Sequence, residues 1–313
     1  MTRFLQWSDL HREFAKEGNP VPFPLPTDDC PAGSVDAILI AGDLDSAAQH
    51  VASLIEIHDV WKVPVISIFG NHEPYGTSQE EARDQVAADL EAARARGLDL
   101  HILDRGEVVI GDTRILGATL WTDFSIMGSQ EAMMYGSQHL INDYRKVRRA
   151  PGSNECQTPW ETLEMHQRDK AWLLEALAEP FDGKTLVMTH HLPVPEILAP
   201  ESGKGTYAPA YVSDLREDIL GLKIDTWVSG HTHYARRGIL EGLQGPISFT
   251  ANMSGYVSNG RPDKNNFEPY RVIDMDQPTL GLEVIEIAES ELQGLRHAQL
   301  VIEQLRDEQV PTP

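Results

Sequence analysis

The chain reads as an α/β protein with two packed central mixed β-sheets flanked by helices. Three observations carry that reading. In the first half, apolar runs such as Ala37-Ile-Leu-Ile40 and Val65-Ile-Ser-Ile-Phe69 alternate with helix-like stretches, the order that builds a parallel sheet. In the second half, strand-like runs follow one another more closely, which implies a partly antiparallel sheet. Five runs end in metal-ligand side chains: Trp7-Ser-Asp9-Leu-His11, Gly42-Asp43-Leu-Asp45, Gly70-Asn71-His72-Glu73, Thr189-His190-His191 and Gly230-His231-Thr-His233. Open α/β sheets gather their ligand sites at the carboxyl ends of strands, so five such ends can bring Asp, Asn and His to one point.

Taken in order, strands are expected at Arg3–Ser8, Val35–Ala41, Val63–Phe69, His101–Leu103, Glu107–Ile110, Thr113–Ala118, Lys184–Thr189, Asp225–Ser229, Arg237–Leu240, Ile247–Ala251, Arg271–Met275 and Gly281–Ile287. Gly111-Asp112 is a tight hairpin turn between two of them. Helices are expected at Ser46–His58, Ser78–Arg96, Ser129–Arg148, Pro159–Ala178 and Asp214–Leu220. Asn19–Pro31 holds five prolines, which exclude helix and central strand, and reads as a loop. The main domain is expected to span residues 1–287, with a helical insertion at about 128–182. Residues 288–313 read as a C-terminal helical tail, with Leu292, Leu295, Ile302 and Leu305 at helix-like spacing, available for a homodimer contact.

The 313 residues are 41% apolar, enough for a real core. Against 26 basic residues stand 48 acidic ones, a net charge of −22, which repels phosphate backbones and anionic lipid and argues against nucleic-acid or membrane partners. A small anionic substrate stays compatible, because bound divalent ions reverse the sign locally. Two cysteines, Cys30 and Cys156, make no disulfide framework. The first apolar run is too short for a signal-peptide core and none approaches the roughly 20 residues of a membrane span, so a cytoplasmic location is expected.

Mixed carboxylate, amide and imidazole donors are the ligand set of a two-metal hydrolytic centre. Asp9/His11 and His231/His233 share i, i+2 spacing, which on an extended strand end points both side chains to one side. Singly, Asp43 and Asn71 also suit turns or helix caps, and an isolated His-x-His is weak evidence. All five motifs, in this order across residues 7–233, resemble the calcineurin-like metallophosphoesterase superfamily.

The resemblance implies a four-layer αββα sandwich and two divalent ions, manganese, iron or zinc. One would be held by Asp9, His11, Asp43 and His233, the other by Asp43, Asn71, His190 and His231. Asp43 would bridge them, as would a hydroxide that attacks the phosphorus of a small phosphomonoester or phosphodiester. His72 would be the catalytic residue, protonating the leaving oxygen, steadied by a carboxylate for which Asp45 and Glu73 are candidates. The pattern favours His190 over His191 as ligand. Arg12, Trp121, Asp123 and Asn252 are further candidates for the cleft wall. The protein-phosphatase branch carries Gly-Asp-x-x-Asp-Arg-Gly where this chain has Gly42-Asp-Leu-Asp-Ser-Ala47, so its phosphate-clamping arginine is missing. That points to a bacterial-type small-substrate phosphatase or phosphodiesterase rather than a phosphoprotein phosphatase. A non-catalytic scaffold and a nuclease of the same superfamily are the alternatives.

Overall fold

The computed structural model describes residues 2–14, 23–199, 208–258, 261–262 and 266–285. In chain order the elements are β1 (Arg3–Trp7), β2 (Ala37–Ile40), α1 (Ala47–Trp61), β3 (Val65–Ile68), α2 (Gln79–Ala95), β4 (Leu100–Leu103), β5 (Gly106–Ile110), β6 (Thr113–Ala118), α3 (Gln130–Leu140), α4 (Asp143–Lys146), α5 (Pro159–Ala178), β7 (Lys184–Thr189), α6 (Arg216–Ile219), β8 (Thr226–Ser229), β9 (Arg236–Gly242), β10 (Gly245–Ala251), β11 (Val257–Ser258), β12 (Arg261–Pro262) and β13 (Val272–Asp274). They form a five-stranded sheet in the order β13-β1-β2-β3-β4 and a six-stranded sheet in the order β5-β6-β7-β8-β10-β9.

Both sheets are mixed. β1 to β4 run parallel, with β13 antiparallel at the edge. In the second sheet β6, β7, β8 and β10 run parallel, while β5 and β9 close its two edges antiparallel. β5 and β6 join at Gly111-Asp112, with Ile110 facing Thr113 across the turn.

Strand alternation builds the layers. Phe4, Leu39 and Ile66 face Leu186, Met188 and Val228 between the sheets. Their neighbours Leu5, Trp7, Ile38 and Ile40 point the other way, onto Leu54, Ile57 and Trp61 of α1. On the far side of the second sheet, Leu116, Val187 and Trp227 pack with Leu173 and Leu177 of α5. Strands with both faces covered are why Ala37–Ile40 is apolar throughout rather than alternating. Two capping boxes fix helix starts: Ser78 with Glu81 on α2, and Thr158 with Glu161 on α5, where Pro159 takes the first helical position.

Two expected elements differ. Ser129–Arg148 is not one helix: Ile141 turns extended and splits it into α3 and α4. The break lets Asp143 reach Asn71 under the cleft, which a continuous helix would not. Gly281–Ile287 is not a regular strand over its described residues. A turn from Leu282 N–H to the Thr279 carbonyl precedes it, and only Val284 bridges to Ile239. The loop at Asn19–Pro31 shows neither helix nor strand over residues 23–31. The expected C-terminal tail lies outside the described residues. Among the described residues no helix is long and apolar enough to cross a membrane.

Leu39 sits fully buried between the sheets, so Leu39→Ala is expected to cost about 2–5 kcal/mol. Leu280→Ala, at a mostly exposed position, should stay within about 0.5 kcal/mol. Urea midpoints of the two variants would measure the contrast.

Candidate metal centre

β1, β2 and β3 of one sheet and β7 and β8 of the other deliver their carboxyl ends to one place. Asp9, Asp43 and His190 are fully buried there, with His11, Asn71 and His72 nearly so. Three donor groups meet, the donor atoms of each within 4.8 Å of one another: Asp9, His11 and His233; His11, Asp43 and His72; Asp43, His190 and His231. Asn71 joins the third through Oδ1, 2.9 Å from His190 Nε2. Asp43 Oδ2 lies between the groups, 3.7 Å from His11 Nε2 and 3.5 Å from His190 Nε2. All eight residues singled out in the sequence thus converge.

The i, i+2 pairs converge for a different reason than strand alternation. Asp9, His11, Asp43, His231 and His233 all take left-handed backbone, with φ of 53°, 47°, 53°, 76° and 54°. Each such residue carries strain on the order of 1–2 kcal/mol, held by surrounding structure. The holding bonds include Asp9 N–H to the Gly42 carbonyl at 3.1 Å and His11 N–H to the Asp43 carbonyl at 3.0 Å. Two glycines are required by close approach: a Cβ at Gly70 would strike the Asp43 carboxylate and the His190 ring, and one at Gly230 would strike Ser8 Oγ and Asp9.

Outer partners aim each donor inward. His190 Nδ1 donates to the Ala41 carbonyl at 2.8 Å, leaving Nε2 toward the centre. Asn71 Nδ2 donates to Asp143 Oδ1 at 2.8 Å, which fixes the amide with its oxygen facing His190. Asp9 accepts from Ser8 Oγ at 2.5 Å and from the His231 N–H at 3.0 and 3.1 Å. Asp43 Oδ1 accepts from the His72 N–H at 2.8 Å.

The carboxylate beside His72 is neither candidate named from sequence. Glu13 Oε1 lies 2.8 Å from His72 Nδ1 and 2.9 Å from His11 Nδ1. Asp45 instead accepts from Ser46 N–H and Ser53 Oγ, and Glu73 from the backbone of Leu44 and Gly70. Those turn bonds consume both carboxylates. Glu13 follows Asp9-Leu-His11 by two residues, and its position in a 3₁₀ turn after the strand is what brings it back. Asp143 and the tyrosines Tyr75 and Tyr256 were also not anticipated; Tyr75 stacks on His72 at 4.1 Å, and the Tyr256 hydroxyl lies 3.3 Å from His72 Nε2.

His191 is buried, packed on Trp121 and His231, and belongs to none of the donor groups. The other cleft candidates serve elsewhere. Arg12 pairs with Glu56, Asp123 closes a turn onto Ser125, and Asn252 bonds Gln6 and Glu268. Above the donors lies a cleft of about 540 Å³, walled by tyrosines, Asp143 and Leu140 to Asn142; no Lys or Arg is among its described lining residues.

Charges set the proton inventory. Burial alone would raise Asp43, but His190 and His72 hold it well below the usual carboxylate range. Burial likewise opposes Asp9, which the His233 hydrogen bond and His190 hold low. Burial opposes charge on His72 too, yet Asp43 and Glu13 push it up to about 9. His190, against the same burial, is pushed to about 10 by Asp43. Burial and the His190 charge push His191 down to about 3. His11 and His233 turn their Nε2 atoms toward one another at 2.9 Å. Converging lone pairs around two sunken carboxylates are what divalent cations satisfy, and mixed imidazole, amide and carboxylate donors without cysteine fit the group.

A two-sheet α/β sandwich with Asp, Asn and His donors at five strand ends is a frame whose donor groups could hold metal ions. The chain belongs to the calcineurin-like phosphoesterase family, which it matches over residues 2–235. It is 26% identical over 220 residues to uncharacterized protein L509 of Acanthamoeba polyphaga mimivirus, covering 66% of this chain and 72% of that protein. Among solved structures it is similar to the phosphopantetheinyl hydrolase PptH of Mycobacterium tuberculosis, with a TM-score of 0.58 and 15% identity over 82% of this chain and 90% of that one. At that identity the likeness bears on the fold alone.

Both raised histidines predict a pH signature. Their folded values exceed the ordinary 6.5, so their contribution to stability is complete below about pH 6.5 and is lost as pH rises through about 9 and about 10. The Tm of chelator-treated protein is expected to fall by several degrees across that window. Metal-loaded protein, in which an ion would replace the proton on His190 but not that on His72, should lose less Tm across the upper part of that window. Differential scanning calorimetry with and without metal would check this.

Proposed function

We propose that the chain is a dinuclear-metal phosphoesterase acting on a small phosphomonoester or phosphodiester. The observation that carries this is Asp43 Oδ2 standing between two donor groups: it lies 3.7 Å from His11 Nε2, which belongs with Asp9 and His233, and 3.5 Å from His190 Nε2, which belongs with His231 and Asn71. These seven residues would hold two divalent ions, manganese, iron or zinc. When bound, the ions would supply an activated water and neutralise phosphate oxygens.

The chain's own residues do the rest. Glu13 accepts from His72 Nδ1–H, and with Asp43 it raises the ring's pKa to about 9, so near neutral pH the ring is an imidazolium whose second proton, on Nε2, faces the cleft. Tyr75 limits the ring's tilt by stacking on it. A protonated His72 Nε2 at the cleft edge suits transfer to the leaving oxygen, whose departure is otherwise slow. Asp143 keeps Asn71 from flipping its amide donor inward. The absence of Lys and Arg among the described cleft residues leaves phosphate charge to the ions and favours a substrate whose remaining part is uncharged. A reducing, cytoplasmic setting suits the unpaired Cys30 and Cys156.

The test is hydrolysis of aryl phosphates, aryl phosphodiesters and cyclic nucleotides with each metal in turn. His72→Ala is expected to keep both metals by elemental analysis and to lose about 10²–10⁴-fold in kcat. Asp43→Asn should lose metal. Glu13→Gln should lower kcat by about 10–100-fold with KM little changed, because it steadies the proton donor rather than the substrate. A protein that binds no metal under any loading condition would sink the proposal.

A further inference from the structure

A second cavity, of about 560 Å³, opens at the seam between the two sheets. That volume lies in the range of roughly 300–1,000 Å³ typical of small-molecule sites. Its walls come from the second sheet and from the loop that leads into β13 of the first. Arg236, Arg237 and Thr250 belong to β9 and β10, while Arg271 stands just before β13. Three guanidiniums around one cavity run against the grain of a chain whose net charge is −22.

Among the described residues their counter-charge is incomplete. Glu268 is the single acid among the described lining residues. It sits 2.9 and 3.0 Å from Arg237 Nη1 and 3.6 Å from Arg271 Nη1. Arg236 donates to a backbone carbonyl, that of Leu198, at 2.9 Å. The Arg271 Nε is buried and has no hydrogen-bond partner. Burial first, then the neighbouring Arg237 charge, push Arg271 below its ordinary pKa, as crowded like charges require. The loop carrying Glu268 and Arg271 is pinned in place. Asn252 Nδ2 donates to the Gln6 and Glu268 carbonyls at 2.8 and 2.9 Å, and Asn252 Oδ1 accepts from the Glu268 N–H at 2.9 Å.

Guanidinium forks with open donors on a fixed frame match planar and tetrahedral oxyanions. We propose that this arginine-lined cavity is a second ligand site, which binds a phosphate dianion, free or as the end group of a small ester. It is separate from the metal cleft but built on the same two segments. Residues 235–237 follow His233, and Thr250 to Asn252 lead to Tyr256, which packs on His233 at 4.4 Å. The proposal stands independently of the metals.

The experiment is calorimetric titration of the metal-loaded full chain with inorganic phosphate and, separately, with phenylphosphonate, which has no ester bond to cleave. Two binding classes are expected. Arg237→Ala combined with Arg271→Ala should weaken one class by about tenfold or more and leave the other. Arg237→Gln, at a half-exposed position, repeats the test without touching the buried group. Asp43→Asn should remove the other class and keep this one. Tighter binding of inorganic phosphate would identify a free ion as ligand, and tighter binding of the phosphonate an organic ester. Phosphate binding that the arginine variants leave unchanged would overturn the proposal. Failure of the metal-centre reading would look different: the Asp43-sensitive class would be missing and the arginine-sensitive class intact.

Discussion

Two carboxylates, those of Asp9 and Asp43, are sunk completely at the junction of two sheets, and the surrounding structure is organised by the need to offset that burial. An ionised carboxylate out of water costs several kcal/mol unless cations or hydrogen bonds replace its hydration. Backbone N–H groups of His72 and His231 supply part of the replacement. Imidazoles supply the rest, as imidazolium when protons are the counter-ions and as neutral donors when metals are. Strained backbone at five of the donors, and a packed carboxylate behind two of the rings, are the structural cost of holding that cluster together.

The need propagates outward. Asp9 N–H and His11 N–H bond the carbonyls of Gly42 and Asp43, so the end of β1 is laced to the end of β2 beyond the last ladder pair. The Gly230 N–H bonds the His190 carbonyl, lacing β8 to β7 in the same way. Gly70 and Gly230 lack a side chain because ligand atoms occupy the space. The two sheets are therefore registered by their polar ends as well as by the apolar layer around Leu39 and Met188.

Much of this was legible in the sequence because it is local. Apolar runs of four to six residues mark β2, β3, β7 and β8 within a residue or two, and each is followed at once by its donor. What sequence did not reveal is set by backbone shape after the strands. Glu13 lies two residues past His11, yet its approach to His72 depends on the turn at Arg12–Phe14, and no spacing rule encodes that. Asp143 lies 72 positions from Asn71 and meets it only because Ile141 interrupts a helix that propensity alone would continue. Asp45 and Glu73 looked equally suited to His72, and the choice was made by backbone N–H groups that needed them more.

Glu13 also explains how one chemical environment can serve two histidines differently. Its single Oε1 faces both Nδ1 atoms, so His11 and His72 are held in the same tautomeric sense, each with Nε2 directed inward. Their fates diverge at Nε2. That of His11 meets His233 and lies 3.7 Å from Asp43, inside a donor group that can close on a cation. The Nε2 of His72 shares a donor group with His11 and Asp43, the latter at 3.9 Å, but it also meets the Tyr256 hydroxyl at the cleft edge. A lone pair enclosed by other donors suits a ligand, and a proton beside a hydroxyl on an open cleft suits an acid. Under the proposed function, ligand and acid are thus separated by what faces the far nitrogen, while the near nitrogen of each answers to the same carboxylate.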